Sequence, residues 1–138
     1  MSDRRKPRIL CVSRSISQLE LIVSHFSEEE FETILSSSPE EAVAFCAANH
    51  ISAIVLDSEF VTEGGWTVAQ SFRMVKPQLP IVLLQRNHGH HSHVPTHVDV
   101  VASKVELIPE ALKVLLKQLA DAEINRVRQI RSSGGSVR

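Results

Sequence analysis

Residues Ile51–Gly65 read ISAIVLDSEFVTEGG, an apolar run that stops at an acid and passes into a loop. Ile51, Ala53, Ile54, Val55 and Leu56 form a nearly continuous apolar stretch with β-branched members. That is the pattern of a strand buried on both faces of a parallel sheet. Asp57 sits where this strand ends. In open parallel sheets, ligands and chemistry collect just outside the carboxyl ends of the strands, so a carboxylate there is placed to react. An Asp can equally stop a strand or cap the next turn, and from this stretch alone both readings of Asp57 stand open.

Working outward, the flanking segments alternate between strand and helix patterns. Toward the amino terminus, Arg8–Val12 (RILCV) predicts a first strand, followed by the loop Ser13–Ser15. Ser17 and Glu20 have capping-box spacing, and Leu19, Ile22, Val23 and Phe26 fall at helical intervals, which predicts a helix ending near Ser27. Phe31–Leu35 predicts a short strand. Ser38-Pro39-Glu40-Glu41 opens a second helix, to about Asn49, with Pro at its first position. Its small residues Ala42, Ala44, Ala47 and Ala48 would let it lie close to a sheet. Toward the carboxyl terminus, Gly64 and Gly65 supply a loop, and Trp66, Ala69, Phe72 and Met74 lie on the helix expected next. Pro77 and Pro80 separate that helix from a strand at Ile81–Leu84, Val98–Ala102 predicts a fifth strand, and Pro109 starts a long last helix. Strands alternating with helices imply right-handed βαβ crossovers and a three-layer α/β domain with a parallel sheet.

The order of elements, Asp57 at the end of the third strand, Gly65 eight residues later and Lys104 after the fifth strand together resemble the receiver domains of two-component response regulators. The likeness covers about residues 8 to 120. It implies a flavodoxin-like (βα)5 fold with sheet order 2-1-3-4-5, the fourth helix short or absent, and an extended last helix. Residues 1–7 would be a basic tail, 8–120 the receiver-like domain, and 121–138 a helix extension ending in a disordered tail. The resemblance further implies a module with no enzymatic activity of its own. Asp57 would accept a phosphoryl group from a histidine kinase or phosphotransfer protein, Lys104 would pair with it, and a downstream effector would read the result.

Several positions depart from the family pattern. Ser13 and Arg14 stand where the family has an acid pair that holds Mg²⁺. Gln85 replaces the hydroxyl residue at the end of strand four, Val101 the usual aromatic, and Val105 the usual Pro. Mg²⁺ requires hard oxygen ligands, commonly one or two carboxylates, and Asp57 with the carbonyl of Glu59 would be a poor remainder. The expectation is a degenerate, pseudo-receiver site with no bound cofactor. In it Arg14 and Lys104 provide the positive charge around Asp57, unless Arg14 points into solvent. A phospho-accepting regulator that still uses Asp57 is the alternative.

Composition fits one domain: 138 residues, 43% hydrophobic and 22% charged, with two cysteines that provide no disulfide framework. No run has the length of a signal peptide or membrane span, so a cytoplasmic protein away from membranes is expected. Residues 1–8 and 117–138 each sum to +3 and the middle to −7, within a total of −1. Basic ends on an acidic body, with no DNA-reading motif, do not indicate a nucleic-acid partner.

Two stretches lie outside the family pattern. Asn87–His97 (NHGHHSHVPTH) holds five of the seven histidines. Here His88, His90, His91 and His93 are weak metal candidates, and a small metal-binding protein is the remote reading of the chain. A loop that charges near pH 6 to 7, the range set by reference histidine pKa values, and a plain solvated loop are the others. The last helix, Pro109–Arg131, would span about 34 Å, more than one sheet face covers. Its stripe of Leu116, Ala120, Ile124 and Val127 predicts an interface, with a homodimer preferred over a solvated extension.

Overall fold

In the computed structural model, residues 6–57, 68–85 and 97–137 are described, with 126–137 as backbone alone. The elements are β1 (Arg8–Val12), α1 (Ile16–Ser24), β2 (Glu32–Ser36), α2 (Pro39–Ala48), β3 (Ala53–Asp57), α3 (Val68–Val75), β4 (Ile81–Leu84), β5 (Val100–Ala102), a 3-10 turn (Val105–Leu107) and α4 (Ile108–Val137). The five strands form one parallel sheet in the order β2-β1-β3-β4-β5. The parallel α/β layering expected from the alternating pattern, and the flavodoxin-like strand order implied by the resemblance, are therefore the ones observed.

Alternation along the strands assigns the two cores. Leu10, Val12, Ile54, Leu56, Ile81 and Leu83 point to one face, against Ala42 and Cys46 of α2 and Val68, Ala69 and Phe72 of α3. Ile9, Cys11, Ala53, Val55, Val82 and Leu84 point to the other, against Leu19 and Ile22 of α1 and Ile108 and Leu112 of α4. Both faces of the central strands are thus removed from water, as the unbroken apolar runs require. Phe72 is the largest of the fully buried side chains among the described residues.

Local chemistry moves several boundaries from where spacing alone puts them. The cap of α1 is Ser15 rather than Ser17: its backbone is extended and its hydroxyl accepts the Gln18 N–H at 3.1 Å, so the helix starts at Ile16. Helix α1 also ends earlier, at Ser24, with His25 as its C-cap. At α2 the predicted start holds, with Ser38 accepting the Glu41 N–H and Pro39 at the first position. Of its alanines only Ala42 packs inward, joined by Cys46 four residues on, while Ala44, Ala47 and Ala48 are exposed. Met74 lies on α3 but faces outward, 68% exposed. The strand expected at Val98–Ala102 pairs only from Val100. Among the described residues no helix is long and apolar enough to cross a membrane.

Helix α4 is longer than predicted. It begins at Ile108, directly after the 3-10 turn, and runs 30 residues to Val137, about 45 Å at the usual rise. The backbone of the last residues, expected to fray, continues the helix. Ile108 and Leu112 are fully buried, Leu115 and Leu116 are half-buried, and residues 121–125 are all exposed. The helix thus leaves the sheet at Leu119.

Candidate functional site

The carboxyl edge of the sheet gathers the polar residues singled out in the sequence. Strands β1 and β3 pair with Val12 opposite Leu56, so the next residue of each, Ser13 and Asp57, meets across the pair. Both follow the parity of Ile9, Cys11, Ala53 and Val55 and so belong to the α1/α4 face. Both are fully buried, and the Ser13 hydroxyl donates to Asp57 Oδ2 at 2.8 Å. The same hydroxyl oxygen accepts the Ser15 N–H at 3.2 Å, while the Ser13 N–H donates to the Ser36 carbonyl at 3.2 Å. Ser13 is therefore fixed from β2, from the α1 cap and from β3 at once. The chain passes from Asp57 through Ser13 to the amino end of α1, whose unpaired N–H groups favour negative charge.

The remaining predicted site residues fall around this pair. Arg14 is exposed and follows Ser13 on the turn into α1. Leu84 lies opposite Asp57, which places half-buried Gln85 one step beyond, where its N–H donates to the Ala102 carbonyl at 2.9 Å. Lys104 is exposed and follows β5 by two residues at the same edge. Glu59 and the histidines 88, 90, 91 and 93 lie outside the described residues, as do Gly64, Gly65, Trp66 and the region expected to hold the family's fourth helix. Along α4, Leu116 is half-buried, Ala120 exposed and Ile124 50% exposed, and the side chain of Val127 lies outside the described set. These interface candidates are at the opposite end of the molecule from Asp57.

What this edge can do follows from its donors and acceptors. A buried carboxylate that accepts from a fixed hydroxyl close to a helix amino end is kept in one orientation. Among the described residues, Asp57 is the only buried acidic side chain, and no three His, Cys, Asp or Glu side chains come together as a metal set. Neither cysteine offers a nucleophile. Burial pushes the Cys11 thiol up to about 12, and burial also raises Cys46, against a smaller opposing effect of the Lys76 charge.

Two polar features escape the sequence reading. Gln18 is buried under α1, and its amide nitrogen is the one buried side-chain polar atom without a partner among the described residues. At the amino edge of the sheet, Arg73 donates to the carbonyls of Pro77, Leu79 and His97 and pairs with Asp99 at 3.0 Å. Asp99 in turn accepts the Ile81 N–H at 2.7 Å. A basic residue in the last turn of a helix was the available signal for Arg73.

The sheet order and helix placement give the class of fold: the chain has the receiver-domain fold found in two-component response regulators. No family model matches the sequence. Solved structures similar to it include the signal receiver domain of an HD domain-containing protein from Pseudomonas fluorescens, with a TM-score of 0.71 at 12% identity over 89% of this chain and 96% of that one. A two-component response regulator from Clostridium difficile gives 0.68 at 19% identity, covering 83% and 98%. The response regulator TrrA of Thermotoga maritima, in complex with Mg²⁺ and BeF, gives 0.66 at 24% identity, covering 79% and 98%. Among curated proteins, the autoinducer 1 sensor kinase/phosphatase LuxN of Vibrio harveyi is 25% identical over 87 residues. That match takes in 63% of this chain but only a tenth of the kinase's length.

Proposed function

We propose that the chain is a receiver-type module of a phosphorelay that acts by binding protein partners in a largely fixed state, without enzymatic activity or a metal of its own. The observation that carries this reading is the Ser13–Asp57 hydrogen bond at 2.8 Å between two fully buried groups. A neutral hydroxyl stands where the resemblance puts the first of two metal-binding acids, and a cation, Arg14, stands at the second. Such a donor set does not fit Mg²⁺, which takes carboxylates and water, and Arg14 would repel the ion at short range. Arg14 and Lys104 instead provide charge at the same edge that needs no cofactor.

The partners are a histidine kinase or phosphotransfer protein upstream and an effector downstream, in the cytoplasm. The match to part of a sensor kinase/phosphatase supports that context. A homodimer through the exposed stripe of α4 belongs to the same proposal, supported by Ile124 at 50% and Leu119 at 38% exposure. The second reading, a phospho-accepting regulator, is favoured by the placement of Asp57 at the carboxyl end of β3 beside the amino end of α1.

Intact-mass measurement after incubation with Mg²⁺ and a small phosphodonor separates the two. The fixed-state module gains no phosphoryl group. A labile adduct on Asp57, absent in Asp57→Ala, selects the phospho-accepting reading instead.

A further inference from the structure

The amino edge of the sheet carries a surface that phosphorelay chemistry at Asp57 does not use. Two open clefts of about 830 and 680 Å³ run beneath the starts of β1, β3 and β4 and share His50, Ser52 and Leu116. The apolar part is made by Val75, Leu79 and Pro80 on one side and by Leu116 and Leu119 of α4 on the other. Its rim is mainly basic. Lys6 and Arg8 line the first cleft beside Glu32, Lys76 lines the second, and His50 lies in both. The ammonium groups of Lys6 and Lys76 donate to the backbone carbonyls of Glu28 and Asn49.

Just past this cleft, α4 leaves the body and presents LADAEI, residues 119–124, to solvent. Leu119 and Ile124 are its apolar members, and Asp121 and Glu123 give it a charge opposite to the cleft's rim. A hollow between Gln78 and Leu119, Ala122 and Glu123 makes this turn continuous with the cleft. Ala120 and Ala122 allow close approach of a second helix.

We infer that the basal cleft receives the Leu119–Ile124 turn of a second copy, in a two-fold arrangement where each copy supplies both helix and cleft. This rests on the homodimer proposed above and names its seat: an acidic, partly apolar turn against a basic, apolar cleft. Isologous closure follows because the donor turn begins where the acceptor cleft ends on the same helix.

Charge reversal tests the seat separately from dimerisation. The full chain is followed by sedimentation velocity, with circular dichroism as the check that each variant is folded. The inference expects a dimer whose dissociation constant rises about tenfold or more in Asp121→Lys/Glu123→Lys and likewise in Lys6→Glu/Lys76→Glu. It expects the combination of all four changes to recover most of the loss. Should Lys76→Glu impair folding, Lys6→Glu alone serves, with a smaller expected weakening and the same rescue. A dimer that Ile124→Asp abolishes but that neither charge set weakens overturns the cleft and leaves helix-stripe pairing standing. A full-length monomer at high micromolar concentration overturns both.

Discussion

The two ends of the sheet hold polar networks of similar size put to different uses. At the amino edge, Arg73 and Asp99 serve the backbone: the guanidinium takes the carbonyls of Pro77, Leu79 and His97, and the carboxylate takes the Ile81 N–H. Main-chain groups in turns need partners, so folding alone explains that cluster. At the carboxyl edge, the Ser13 hydroxyl serves a side chain, Asp57. Stopping a strand does not require a buried carboxylate, and burying one costs several kcal/mol before its hydrogen bonds offset it. The contrast separates a cluster that folding explains from a buried carboxylate that folding alone does not require.

Arg73→Ala gives the largest expected change, about 2 to 3 kcal/mol in urea unfolding, because several carbonyls and Asp99 lose a charged donor together. A cost below roughly 0.5 kcal/mol would show that water replaces the guanidinium and that the amino edge is not a clamp. Ser13→Ala comes next at about 1 to 2 kcal/mol, since it leaves Asp57 buried with one donor fewer. In the Ser13→Ala/Asp57→Ala double variant the cost should fall below the sum of the single changes, as expected for groups in contact. Additive costs would separate the two residues and weaken the contrast between the edges.

Between the edges, Cys11 reports on the middle of the sheet. Its thiol is held up to about 12, against an ordinary value of 9.0. The folded state therefore keeps its proton where the unfolded chain loses it. Stability from this group is intact below pH 9 and falls as pH rises from 9 toward 12, by at most ~1.4 kcal/mol per pH unit. Cys46 shifts in the same direction. Comparing Cys11→Ala with the parent chain over that window isolates the slope; equal slopes would mean that the centre of the sheet opens to solvent.

Much of the fold was legible because buried parallel strands write themselves as apolar runs: RILCV and IVLL became β1 and β4 without shift, and the run from Ile51 became β3 from Ala53. Helix starts depend on local contacts that spacing does not specify. Ser17 and Glu20 have the right spacing for a cap, yet Ser15 has the extended backbone and the hydroxyl contact that decide the matter. The outward face of α2 was unreadable because alanine is compatible with either environment. At the site, the place of Asp57 at a strand end was legible in the apolar run before it, whereas its hydrogen-bond partner was not. Ser13 reads only as a missing acid until the pairing of Val12 with Leu56 brings its hydroxyl across to Asp57. Arg73 escaped because its acceptors are backbone carbonyls, which carry no sequence signature.

The most direct measurement of whether protein groups replace a metal at Asp57 is urea unfolding with and without millimolar Mg²⁺, since a ligand that binds only the folded state raises stability by mass action. The fixed-state site shows no Mg²⁺ dependence, while Ser13→Asp/Arg14→Asp, which restores two acids, is less stable without the ion and gains stability with it. A saturable stabilisation of the unaltered chain that disappears in Asp57→Ala would contradict this and return Mg²⁺ to the site.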